Sequence, residues 1–214
     1  FGGLPAPGNL GDAIRLEEGG EIGSFYGKQF AGFTDDGKWL FQKADGSAAP
    51  ASEINDNDLR YIGNGVPKFQ ASLSNRFMYK GFDLTIFFRG KFKYDILNTA
   101  DMFFGNQKWV PNNVLESAFT TNKDINDDPQ YSDYYLENGS FVKLDNITLG
   151  YNFKMKTAFV RDLYVYVSGR NIATFTSYSG LDPELQDTGF DAGIDGRGFY
   201  PRTQSWTIGL NVGF

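Results

Sequence analysis

The sequence predicts an all-β fold, a stretch of antiparallel transmembrane β-barrel with long loops. Three observations carry that expectation. Apolar and polar residues alternate along segments of about ten to twelve residues, near the ~9–11 that a tilted strand needs to cross a bilayer and beyond the ~5–6 usual in soluble sheets. Charges within those segments keep to one parity; a Lys or Arg on the lipid side near mid-bilayer would cost ~2–4 kcal/mol, so hydrocarbon excludes them from that face. Connections are either minimal or very long, the asymmetry of outer-membrane barrels with short periplasmic turns and long extracellular loops.

Composition agrees and closes off other classes. With 26 acidic against 20 basic residues and a net charge of −6, the chain lacks the basic balance that a nucleic-acid binder uses to neutralise phosphates. It has no cysteine and no histidine, which removes disulfides, thiolate or imidazole metal sites and any Ser-His-Asp triad. No cofactor and no catalytic activity are expected. Phe (21), Tyr (12) and Gly (26) are abundant, as in a barrel with aromatic girdles. No run of 18 apolar residues exists for a membrane helix. The chain does not begin with Met, and its first residues carry no signal-peptide pattern, so it reads as part of a longer protein.

Along the chain, residues 1–21 are assigned to a loop or incomplete strand and 22–67 to an extracellular loop with weak strands near 25–33 and 38–42. Residues 68–94 form a hairpin. Phe69, Ala71, Leu73, Phe77 and Tyr79 share one parity, with Asn75 the exception; after Lys80-Gly81 the parity switches, so that Phe82, Leu84, Ile86, Phe88 and Phe92 are apolar and Asp83, Thr85, Arg89, Lys91 and Lys93 oppose them. A two-residue turn containing Gly explains both the reversal and the switch. Residues 95–139 are a long loop. In the second hairpin, 140–176, Ile147, Leu149, Tyr151 and Phe153 precede Leu163, Val165 and Val167, and a bulge is expected near Gly169-Arg170-Asn171. Another loop, 177–202, leads to the terminal strand 203–214, where Trp206, Ile208, Leu210, Val212 and Phe214 alternate with Ser205, Thr207, Gly209, Asn211 and Gly213. Five or six such strands leave open edges that lipid does not tolerate, so more polypeptide must complete the barrel. The rival fold is a soluble carbohydrate-binding β-sandwich, since a half-buried sheet also alternates.

Several phrases occur in order: Glu21-Ile22-Gly23-Ser24-Phe25-Tyr26-Gly27, Tyr61-Ile62-Gly63-Asn64-Gly65-Val66-Pro67, Tyr79-Lys80-Gly81-Phe82-Asp83-Leu84, Asn138-Gly139-Ser140-Phe141-Val142-Lys143-Leu144, Val165-Tyr166-Val167-Ser168-Gly169-Arg170-Asn171, Tyr178-Ser179-Gly180-Leu181-Asp182-Pro183, and Tyr200-Pro201-Arg202-Thr203. Together they resemble the C-terminal barrel region of SusC/RagA-family TonB-dependent outer-membrane transporters. The resemblance implies the last ~6 strands of a ~22-stranded barrel, the size that encloses a plugged lumen. It also implies import of glycans or oligopeptides, with the rest of the barrel and its plug, a SusD-like surface lipoprotein, TonB (through an N-terminal part) and the lipid bilayer as partners. A passive porin or a secretion barrel is the alternative within the membrane class.

Candidate sites follow from register. Arg76, Arg89, Lys91, Lys93, Tyr164, Tyr166 and Arg170 would face the lumen, lining a substrate route or bonding plug and water. Tyr79, Phe82, Tyr151, Phe153, Trp206 and Phe214 would anchor at the membrane interface. Phe103, Phe104, Trp109, Tyr131, Tyr134 and Tyr135 would contact ligand or lid, or pack within their loop. Asp182, Glu184, Asp187, Asp191 and Asp195 have no fixed separation to suggest a glycosidase pair. Many relatives carry a calcium-loop-like stretch before the Tyr61-Ile62-Gly63-Asn64 phrase; here Asp56 and Asp58 are its candidates, but Ala48-Ala49-Pro50 interrupts the oxygen spacing such a loop needs, and a solvated acidic loop is the simpler reading.

Overall fold

The computed structural model describes residues 13–155, 159–185, 192–197 and 200–214. Most of the segment 1–21, part of the 154–162 turn, and Asp187 and Asp191 lie outside the described residues. In chain order the elements are β1 (Ser24–Gly27), β2 (Phe30–Phe33), β3 (Trp39–Gln42), β4 (Ala48–Pro50), β5 (Arg60–Asn64), β6 (Phe69–Tyr79), β7 (Phe82–Phe92), β8 (Asp95–Leu97), α1 (Thr99–Phe104), β9 (Leu136–Asn138), β10 (Phe141–Lys154), β11 (Asp162–Thr176) and β12 (Ser205–Gly213). The chain divides into two compact units, one built from Phe1–Lys68, Lys93–Gly139 and Ser177–Phe199, the other from Phe69–Phe92, Ser140–Thr176 and Tyr200–Phe214.

The second unit is a five-stranded antiparallel sheet in the order β12-β11-β10-β7-β6. Its hairpin turn follows from two residues: Lys80 (φ 46) and Gly81 (φ 92) both adopt left-handed backbone, the two-residue geometry whose twist matches the flanking strands. Directly paired residues share a face, so register sorts every side chain. One face stacks Phe77, Leu84, Leu149, Val167 and Ile208 in a row, with Tyr79, Phe82, Tyr151, Val165 and Leu210 in the next. That face carries no charged residue along the paired strand positions. Among the described residues nothing covers its β12 end: Ile208 is 82% exposed and Leu210 66%. An apolar expanse of this kind belongs against lipid or a partner rather than water.

The sheet departs from simple pairing at one place. β10 shifts register between Leu144 and Asn146 against both neighbours, opposite the span from Arg170 to Ala173 where Asn171 is left-handed (φ 52). The irregularity expected near Gly169-Arg170-Asn171 is therefore present. Against β7 the extra residue is Asp145, which flips the parity of what precedes it on β10; against β11, Asn171 and Ile172 together oppose Asp145 alone. Leu144 pairs with Phe88 on the apolar face and Lys143 with Arg89 on the polar face. Unbroken alternation from Ile147 would have turned Lys143 and Asp145 toward the apolar side.

In the first unit, strands stand where weak ones are expected, near 25–33 and 38–42. Those segments form short strands in separate sheets: β1 with β5, and the meander β2-β3-β4, while β8 pairs with β9. With three to five residues each, they are too short to span a bilayer. The long segments are not featureless either. Phe25, Trp39, Phe41, Leu97, Met102 and Tyr135 are buried together in a core, Trp39 donating its indole N–H to the Asp128 carbonyl at 2.9 Å. Among the described residues no helix is long and apolar enough to cross a membrane.

Candidate functional site on the polar face of the sheet

The polar face is assembled by the same pairing. Arg76, Thr85, Thr148, Ser168 and Thr207 form one row across all five strands; Met78, Asp83, Gly150, Tyr166 and Gly209 form the next. Of the residues assigned to the lumen, Arg76, Arg89, Lys91, Tyr164, Tyr166 and Arg170 all sit on this face. Lys93 follows the end of β7 in left-handed backbone (φ 58), beyond the ladder, where pairing assigns it no face.

Near the hairpin turn Arg76 is matched by a carboxylate. Arg76 donates two hydrogen bonds to Asp83, from Nε to Oδ1 at 2.9 Å and from Nη2 to Oδ2 at 2.5 Å, a fork geometry that holds both side chains. Beside them Tyr164 and Tyr166 stack, ring centroids 5.6 Å apart. Their rings lie where neighbouring strands have no side chain: a Cβ on Gly150 would come within 2.1 Å of the Tyr164 hydroxyl, and one on Gly209 within 2.4 Å of Tyr166 Cζ. Polar-parity glycines are thus seats for tyrosine rings. Arg76, Asp83 and Tyr164, with Lys80, Asn152 and the turn, border a groove of about 530 Å³.

Toward the other strand ends cations accumulate. Arg89 lies directly across from the buried Lys143, Lys91 is two residues on, and Arg170 occupies the adjoining row on β11. The carboxylate of Asp145 approaches Arg89 Nη2 at 3.2 Å. Three contributors escaped sequence reasoning. Phe87 sits in polar register between Ser74 and Asn146, although its parity was legible. Lys143 and Asp145 were hidden by the bulge; a lone carboxylate on an otherwise apolar parity was the available signal.

On the apolar face the assigned anchors divide. Tyr79, Phe82 and Tyr151 share one row at the hairpin end, with Phe82 against Tyr151 at 4.7 Å and Tyr151 against Phe153 at 4.5 Å between centroids. Trp206 opens β12, and Phe214 follows its last residue, 82% exposed.

The remaining candidates lie in the first unit and serve its architecture. Asp58 is buried, and both its oxygens are taken: Oδ1 accepts from the Ala44 N–H at 2.8 Å and Oδ2 from the Asn55 N–H at 2.9 Å. These bonds hold its carboxyl below the usual range. Asp58 is thus a cap for a single 3₁₀ turn, Asp56–Asp58, rather than part of a solvated loop, and among the described residues no three acidic side chains converge as a metal site. Asp182 accepts from the Glu184 N–H at 2.8 Å in a local turn. Asp195 is buried and accepts from the Tyr178 hydroxyl; burial pushes its carboxyl up, against the lowering effect of that bond. Of the loop aromatics, Phe103, Tyr131 and Tyr135 are buried and Tyr134 packs against their cluster, while Phe104 and Trp109 remain exposed.

No family model matches the chain. It is 32% identical to TonB-dependent receptor P3 of Formosa agariphila over 93% of its own length and 23% of the relative's. To the TonB-dependent receptor SusC of Bacteroides thetaiotaomicron it is 32% identical over 66% of its length and 15% of that protein's. The fold matches the RagAB peptide transporter with a TM-score of 0.69 at 25% identity, covering 88% of this chain and 22% of that one. The chain therefore spans less than a quarter of the length of the relatives it matches. Shared sequence over nearly the whole chain and a shared sheet architecture establish that it belongs to the SusC/RagA family of TonB-dependent receptors.

Proposed function

We propose that the chain supplies the closing strands of an outer-membrane importer barrel, whose lumen holds a plug, whose energy arrives through TonB and whose outer mouth works with a SusD-like lipoprotein. Its cargo is a glycan or an oligopeptide, and the segment contributes a wall rather than a catalytic step. The observation that carries this reading is the sorting of charge: five paired strands keep every charged side chain off one face. A soluble sandwich has no need of so complete an exclusion on a face left exposed. Likeness to the RagAB peptide transporter supports oligopeptide cargo.

In the full-length receptor reconstituted into lipid vesicles, nitroxide labels at Leu84, Ile86, Leu149 and Leu210 are expected to relax with lipid-dissolved oxygen and ignore a water-soluble nickel chelate. Labels at Thr148 and Ser168 are expected to avoid the oxygen effect. Labels at the first four positions that report neither lipid nor oxygen would refute the membrane-facing assignment.

A further inference from the structure

The two halves of the polar face differ in charge. At the hairpin end Arg76 is matched by Asp83, and Lys154 pairs across from Asp162. At the other end Lys91, Arg89, Lys143 and Arg170 occupy three successive rows on β7, β10 and β11, with Asp145 the one carboxylate among the described sheet residues there. Arg89 and Lys143 are direct cross-strand partners, an arrangement that destabilises a sheet when charges are alike. The β10 bulge is what brings Lys143 onto this face. A chain of net charge −6 thus concentrates positive charge along one half of one face, where low-dielectric walls focus the field.

We propose that this half-face is an anion-selective stretch of the import route, and that the cargo carries carboxylates. The inference rests on the importer reading, in which this half lies nearer the outer mouth. Arg170 is exposed and Lys91 half-buried; they make the contacts, Arg170 with the flat fork suited to a carboxylate. Lys143 is buried, and both it and Arg89 are held by partners, so the charge that meets the cargo is that of Lys91 and Arg170. Phe87, amid these rows, offers an apolar surface to the cargo backbone.

The test uses the full-length receptor in nanodiscs and two fluorescent probes of different origin, oligogalacturonate and oligoglutamate, each against its neutral counterpart, oligogalactose and oligoglutamine. Fluorescence anisotropy is expected to show at least one carboxylate probe bound about tenfold or more tighter than its counterpart, the scale of one charge-assisted hydrogen bond, with affinity falling as salt rises. The uronate and glutamate arms then tell a glycan from a peptide source. The Lys91→Gln/Arg170→Gln variant is expected to lose that preference without change in melting temperature, while Arg76→Gln, at the hairpin end, keeps it. Equal binding of charged and neutral probes, no binding of either, or a preference that survives the double variant would overturn the proposal. TonB-dependent uptake of a neutral probe alone would do so while leaving the importer reading intact.

Discussion

At Gly209 the polar face has no room for a side chain, because the Tyr166 ring already occupies the space a Cβ would take. Gly209→Val is therefore expected to lower stability by ~1–3 kcal/mol, the usual cost of overpacking, and Gly209→Val/Tyr166→Ala to recover most of it. Loss of the heat-resistant folded band on gel electrophoresis of the full-length receptor measures both. Single ionisable groups act with opposite signs. Asp58 has a depressed carboxyl pKa, so its stabilisation is complete above its unfolded value near 3.8 and is lost as pH falls through the folded one. Asp195 has a raised one; its contribution is full below the unfolded value and lost as pH rises through the folded one. Peptides covering residues 43–58 should then exchange amide hydrogens faster, relative to intrinsic rates, at about pH 3 than at about pH 6, and Asp58→Asn should abolish the difference. An unchanged profile in the variant would show that the cap is not the source. The role of Asp58 was not legible in the sequence: an acidic stretch looks the same whether water or two backbone N–H groups satisfy it.

Elements show where pattern reading succeeds and where it stops. Lys80-Gly81 was legible as a turn because parity switches across it, and two left-handed residues at that point leave one hairpin geometry. The start of β10 was not legible. Alternation read back from Ile147 sends Asp145 and Lys143 to the apolar side, and only the paired register of β7 shows that one added residue turns both away. Deleting Asp145 would remove the extra residue and leave Leu144 opposite Phe88 and Lys143 opposite Arg89, so both keep their faces. Assembly of the full-length receptor is therefore expected to survive the deletion, measured as the folded fraction in outer-membrane preparations, whereas Leu144→Lys, which puts a cation on the apolar face at ~2–4 kcal/mol, is expected to lower it. If the deletion abolishes assembly while Leu144→Lys is tolerated, the faces assigned on either side of the bulge are wrong. The short strands of the first unit were legible as weak strands, but their packing was not: Phe30–Phe33 and Trp39–Gln42 pair with each other and are held by a core around Trp39.

Across the whole molecule, pairing leaves the outer edges of β6 and β12 without partners within the sheet, and backbone groups so exposed have no water to bind in hydrocarbon. Further strands must meet both edges, which agrees with a chain that spans less than a quarter of its relatives. What the sequence by itself determined was which face of each strand is apolar, as far as the β10 bulge, because side chains alternate with a period of two and charge is costly on one side only. The antiparallel hairpin and the family were legible for the same reason: both are written in short local phrases. Tertiary structure alone decided which residues share a row. The cation series across β7, β10 and β11, the tyrosine rings seated on Gly150 and Gly209, and the hydrogen bond from the Ala44 N–H to Asp58 all join positions separated along the chain. Such neighbours are set by register and by the bulge, and no single strand carries that information.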